Sequence, residues 1–182
     1  MPIVWIVLGV VALLVVYIIA TYNGLITLKN RVAEAASDID VQLKRRFELI
    51  PNLVSTVKGY AKHEKELLEK VTAERAGLMK GSTADKINAS NQITETLKSL
   101  FAVAENYPDL KANTNFLQLQ ADLTDTQDKI MSAQRFYNGN VRDFNTKIEV
   151  FPTNIYAKQL GFGKFEFIEA AEGEKANVEV QF

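Results

Sequence analysis

Apolar residues are spread unevenly along the chain. From Met1 to Leu28 no side chain is charged, and every Lys, Arg, Asp and Glu follows, beginning at Lys29. A helix needs roughly 20 apolar residues to cross a hydrocarbon core. The run through Ile3, Trp5, Leu13, Tyr17 and Tyr22 supplies that length. A cleaved signal peptide would want basic residues in front, a shorter apolar core and a small-residue cleavage site. Nothing basic precedes this run, and Ala20-Thr21-Tyr22 is a poor site. The expectation is an uncleaved single-pass anchor over residues 1–28, with the lipid bilayer as its partner.

The pattern then becomes one-sided. Leu25, Leu28, Val32, Ala35, Ile39, Leu43, Phe47 and Ile50 step by three or four residues, which predicts a helix running on from the anchor. The stripe keeps its phase past Pro51 through Val54, Val57, Ala61, Leu68 and Val71, ending near Gly77 to Gly81. Proline removes a backbone donor and restricts the residue before it. Either one long helix kinks at Pro51 or two helices meet in a tight corner there. Glu34, Asp38, Asp40 and the triplet Lys44-Arg45-Arg46 read as a solvated face.

Ser82-Thr83 offers a cap for the next stripe, Ile87 to Ala104, which stops at Tyr107-Pro108. Asn113 or Thr114 opens a long helix whose stripe runs from Phe116 to Ile148, until Phe151-Pro152. Gly139 in its middle suggests a close helix contact, since glycine there costs about 1 kcal/mol against alanine. Beyond Pro152, Gly161-Phe162-Gly163 marks a turn. Phe165 and Phe167, then Val178, Val180 and Phe182, alternate as strands do. A short hairpin is expected there, and these five residues are the candidate contacts with another chain. The fold class is all-α: an antiparallel helical bundle over residues 29–150, continuous with the anchor, with a small β-like tail over 151–182.

Composition narrows the function. The 182 residues carry 21 basic and 22 acidic side chains, a net charge of -1. That balance argues against nucleic acid as a partner. Zero cysteines remove disulfides, thiolate metal sites, thiol nucleophiles and a lipoprotein anchor. Lys29 and Arg31 flank the anchor on its C-terminal side only, which puts the body of the chain in the cytoplasm and the N-terminus outside.

Candidate chemistry is sparse. The one histidine, His63, lies in the charged run His63-Glu64-Lys65-Glu66 and reads as a surface residue. It has no second histidine for a bundle metal site and no partners for a triad. Asp122, Asp125 and Asp128 share one helix face, a geometry for a divalent cation or, more commonly, for pairing with basic neighbours. Gly161-Phe162-Gly163-Lys164 lacks the spacing of a phosphate loop. Arg135, Asn138 and Asn145 lie close to the apolar stripe and read as interhelical hydrogen bonds that set register. The expectation is a protein that is not an enzyme, with no catalytic residue, no cofactor and no metal.

Several blocks carry a resemblance. They are Asp40 to Arg46, Leu49-Ile50-Pro51-Asn52-Leu53-Val54, Gly59-Tyr60-Ala61, Glu105 to Leu110, Ala133 to Asn138, Phe151-Pro152-Thr153-Asn154 and Gly161-Phe162. In this order they resemble the LemA family over nearly the whole chain. Two departures stand in the long helix. Thr126-Gln127-Asp128 occupies the place where the family pattern has a glutamate, and Gly139 replaces a better helix former. The resemblance implies a bacterial membrane protein with one short N-terminal span and a cytoplasmic helical bundle, and it brings no defined reaction. The leading expectation is a non-enzymatic scaffold that self-associates as a homo-oligomer at the bacterial inner membrane. The alternative is a monomeric tethered adaptor for an unidentified soluble signalling or protease partner.

Overall fold

A computed structural model describes residues 2–169. Six α-helices follow in order: α1 (Pro2–Tyr60), α2 (Lys65–Arg75), α3 (Thr83–Ala104), α4 (Pro108–Lys111), α5 (Thr114–Glu149) and α6 (Thr153–Tyr156), with a 3₁₀ turn over Ala76–Met79. The chain divides into two compact units. Among the described residues, one comprises those up to Ala35 with Phe136–Phe167, and the other Ala36–Arg135 with Ile168 and Glu169.

In the first unit the burial pattern changes sharply at Thr21. Residues 3–20 are exposed on every side. They make the one described helix long and apolar enough to cross a membrane. Eighteen residues rise about 27 Å as helix, close to the thickness of a hydrocarbon core. From Thr21 onward one face of α1 is covered. Leu25 and Val32 meet Val141, Phe144 and Ile148 of α5, with Ala157 and Phe162 completing the cluster. Each such side chain, fully buried, is worth about 1.5–3 kcal/mol.

The second unit is a four-helix, up-down-up-down arrangement. Along α1 and α5, Arg45 meets Asp122 and Asp125, and Tyr60 meets Asn113, so the two helices run antiparallel. Along α1 and α3, Asp40 meets Lys86 and Arg46 meets Thr94, so these run parallel, with α2 returning between them. The core positions on α1 are Ile39, Leu43, Arg46, Ile50, Leu53 and Val57, a repeat of four and three residues.

The helix boundaries follow local chemistry. Ser82 caps α3 in a reciprocal box with Asp85, whose carboxylate receives the Ser82 backbone N–H and hydroxyl. Those bonds hold the Asp85 carboxyl below the usual carboxylate range. Asn113 caps α5 by accepting from the Phe116 amide at 3.1 Å. Pro51 neither ends α1 nor separates two helices: the chain stays helical to Tyr60 and breaks at residues 61–64 instead. Pro51 has no amide hydrogen for the Phe47 carbonyl four residues back. That carbonyl accepts from Arg75 Nε at 2.8 Å, and the Arg75 guanidinium lies 3.5 Å over the Phe47 ring. The helix expected to run to Gly77–Gly81 is therefore two, folded back so that α2 supplies what Pro51 withholds.

Two expectations are corrected here. A Cβ on Gly139 would meet nothing within 4 Å, so Gly139 serves no close helix contact. No strand forms among the described residues, because the tail is tied down differently. The Phe165 N–H donates to Asn145 Oδ1 at 3.0 Å, and Asn145 Nδ2 donates to the Phe165 carbonyl at 2.9 Å. Both backbone groups that a strand partner would need are already used. Val178, Val180 and Phe182 lie outside the described residues.

Gly139→Ala should stabilise the protein by about 0.5–1 kcal/mol, read as a raised urea midpoint. Arg75→Ala should cost about 1–3 kcal/mol. The loss should shrink in a Pro51→Ala background, where the new amide satisfies the Phe47 carbonyl. A double-mutant cycle with no coupling would show that Arg75 does not serve that carbonyl.

Candidate functional site

The most buried polar constellation lies in the second unit and centres on Arg46, which is 2% exposed. Its position follows from the repeat on α1: Arg46 is three residues after Leu43 and four before Ile50, on the core face. Nη1 donates to Ser90 Oγ at 2.8 Å, approaches the Ser90 carbonyl at 3.4 Å and reaches Gln127 Oε1. Nη2 donates to Thr94 Oγ1 at 2.8 Å. One guanidinium thus joins α1, α3 and α5. No carboxylate is among its described partners, and Nε finds no acceptor there. Burial pulls the Arg46 pKa down to about 10, so the group stays charged at neutral pH.

The triplet expected to face solvent therefore splits. Lys44 and Arg45 are on the outside, and Arg46 is a core residue. A row of small polar partners, Ser90 and Thr94 on α3 with Gln127 on α5, was the signal available in the sequence. With Arg46 on α1 the constellation spans three separate segments, so spacing within any one of them does not reveal it.

The aspartate row is engaged by cations of the protein itself. Arg45 bridges Asp125 at 3.0 Å and Asp122 at 3.7 Å, and Lys129 holds Asp125 at 2.9 Å. The Lys129 hydrogen bond is the main reason the Asp125 carboxyl is held below its ordinary range. Asp128 is exposed on the same helix. These are surface pairs, screened by solvent and of little weight for stability.

The other singled-out residues are dispersed. His63 is exposed in the turn between α1 and α2. Its neighbour Glu64 accepts from the Tyr107 hydroxyl at 3.0 Å, which pushes the Tyr107 pKa up. With Asn113 donating to the Tyr60 hydroxyl at 3.0 Å, this ties the α1–α2 turn to the segment between α3 and α5. Arg135 is exposed and bonds Ser132 of its own helix, and Asn145 bonds the tail, so neither sets register between helices. Phe165 packs on Phe144 with ring centroids 5.0 Å apart, while Phe167 is exposed. Gly161 adopts φ +82, which lets Phe162 N–H reach the Ala157 carbonyl at 3.0 Å and Gly161 N–H the Lys158 carbonyl at 3.1 Å. That is a Schellman ending with its hydrophobic contact, Phe162 on Ala157.

One open groove of about 630 Å³ lies between the last turns of α1 and α2. Val54, Ala61 and Leu68 line it, and Lys58, Lys62 and Lys65 border it. Its side chains include no nucleophile paired with a base.

A buried cation with no carboxylate among its described partners predicts a specific rescue. Gln127→Glu should raise stability near pH 7 by about 1–3 kcal/mol. A carboxyl beside Arg46 has a folded pKa below its unfolded value of about 4.3. The gain should hold above that value and disappear as pH falls through the lower folded pKa. Thermal melts of parent and variant between pH 7 and pH 3 test this, and parallel curves would contradict it.

The profile described as LemA family matches residues 35–182. Protein LemA of Metamycoplasma hominis is 31% identical over 160 residues, covering 86% of this chain and 73% of that protein. Magnetosome protein MamQ of Magnetospirillum gryphiswaldense is 24% identical over 173 residues, covering 80% of this chain and 64% of that protein. Magnetosome protein MamQ 2 of Paramagnetospirillum magneticum is 25% identical over 190 residues, covering 90% and 70%. None of these names denotes an enzyme. The matched region takes in the buried Arg46 cluster, the Tyr107–Glu64 tie and the Schellman turn at Gly161, and on that extent of likeness this chain belongs to the LemA family.

Proposed function

We propose that this protein is a non-enzymatic structural scaffold of the bacterial inner membrane, anchored by residues 3–20 and self-associating through its cytoplasmic part. The observation that carries the reading is the burial pattern of α1. One uninterrupted helix is apolar and bare on all sides before Thr21 and one-sided after it. Such a helix holds each copy in a defined orientation at the bilayer, which raises the effective concentration for contacts between copies. Lys29 and Arg31, directly after the span, favour a cytoplasmic body. The MamQ relatives, named as magnetosome proteins, are in keeping with a structural role. Val178, Val180 and Phe182 supply an alternating apolar segment for pairing.

The lysine-bordered groove between α1 and α2 favours a second reading, a monomeric tether that holds a soluble partner. The mass of the full-length protein in mild detergent separates the two. A scaffold gives a large discrete particle without any added protein, and deleting residues 170–182 should shrink it. Removing residues 1–28 should also disperse it if the anchor drives assembly. A monomer for the full-length chain would sink the scaffold and leave the tether.

A further inference from the structure

The turn-rich segment after α5 has two faces. Its inner face is core: Thr153 is 1% exposed, and Ala157 and Phe162 belong to the cluster with Leu25 and Phe144. Its exposed positions combine Phe151, Ile155 and Leu160 with the polar Asn154, Lys158 and Gln159. Phe151 is 79% exposed and Ile155 62%, and Val150 and Leu160 are exposed beside them. Single exposed apolar residues are ordinary, but four within eleven positions on one small cap are not. Between Val150 and Gly163 the one charged residue is Lys158.

The cap is compact and its place is known. Hydrogen bonds from Ile155 N to Pro152 O (3.2 Å), Ala157 N to Thr153 O (2.9 Å) and Leu160 N to Tyr156 O (3.0 Å) tie it together. Phe162, bonded back to Ala157, sets its ring 5.6 Å from that of Tyr22. Tyr22 is where the bare apolar run of α1 gives way to a covered helix. Phe162 thus sets the cap beside Tyr22, at the end of the bare apolar run.

We propose that this cap is a second membrane contact. Phe151, Ile155 and Leu160 enter the interfacial layer of the leaflet from which α1 emerges, and Lys158 lies among its headgroups. Apolar side chains on a short element bury about 5–10 Å into that layer, and a lysine stem reaches its phosphates. Continuity with the span identifies the occupant: a lipid surface must already surround the end of α1, and no other partner is required to cover the patch. The contact gives the first unit two points on the bilayer, which restrains its rotation about the α1 axis. The inference rests on residues 3–20 spanning the membrane.

Trp5 is the single tryptophan, so it reports the span in the parent protein. Trp5→Phe with Phe151→Trp moves the reporter to the cap. Both proteins are placed at one copy per nanodisc of phosphatidylcholine and phosphatidylglycerol, with bromine on the lipid chains at shallow or deep positions. Trp5 lies near the outer end of residues 3–20, so the parent emission should fall with shallow bromine. The F151W reporter should be roughly halved by shallow bromine, lie to the blue and resist acrylamide in the water. Adding Ile155→Glu should restore its emission and its access to acrylamide. An F151W signal open to acrylamide and indifferent to brominated lipid, with Trp5 still quenched, overturns the cap while leaving the span intact. Loss of Trp5 quenching overturns both. Protection of F151W only when two copies share a disc, without lipid quenching, also overturns it and makes the patch a contact between copies.

Discussion

Hydrocarbon offers no hydrogen bonds, and that constraint governs α1. Every backbone group in residues 3–20 must be satisfied within the segment, so the segment is a helix. The same helix then has to satisfy a different solvent. From Thr21 on it is covered on one side by α5 and the cap, and Thr21 itself returns its hydroxyl to the Tyr17 carbonyl at 2.9 Å. The switch from all-round to one-sided apolarity falls at Thr21, at the end of a segment long and apolar enough to cross a membrane.

Within the second unit a single buried charge does the joining. Arg46 exchanges water for three neutral acceptors on two other helices. A guanidinium has five donors in a fixed plane, so it selects one rotation and one height for each helix that meets it. Leucine in its place would pack with less directional preference. Pro51 works toward the same end one turn later. By leaving the Phe47 carbonyl open it creates a site that only a donor from outside the helix fills, and Arg75 brings α2 to that site. In both cases an arginine fixes a contact that apolar packing alone would leave free to slide.

The cap after α5 joins the anchor to the body of the first unit. Asn145 uses its whole amide on the Phe165 backbone, and Gly161 turns the chain so that Phe162 meets Phe144 and Tyr22. The tail here behaves as a strap along a helix rather than as a strand. The reason is accounting of donors and acceptors: a side-chain amide matches a peptide group as well as a neighbouring strand does.

Much of this was legible in the residues. The uncharged run to Leu28, the three-and-four spacing of α1, α3 and α5, the Ser82 and Asn113 caps and the turn at Gly161 are local signals, and each appears where its chemistry dictates. What the sequence by itself determined is therefore an apolar anchor feeding a helical bundle with little catalytic equipment. Only the tertiary structure decided the fate of Arg46, Pro51 and Phe165. In each, the deciding partner is distant along the chain: Gln127 is 81 positions from Arg46, Arg75 is 28 from Phe47, and Asn145 is 20 from Phe165. A polar group's environment is set by whichever donor or acceptor the fold delivers to it, and no periodicity within its own segment encodes that delivery.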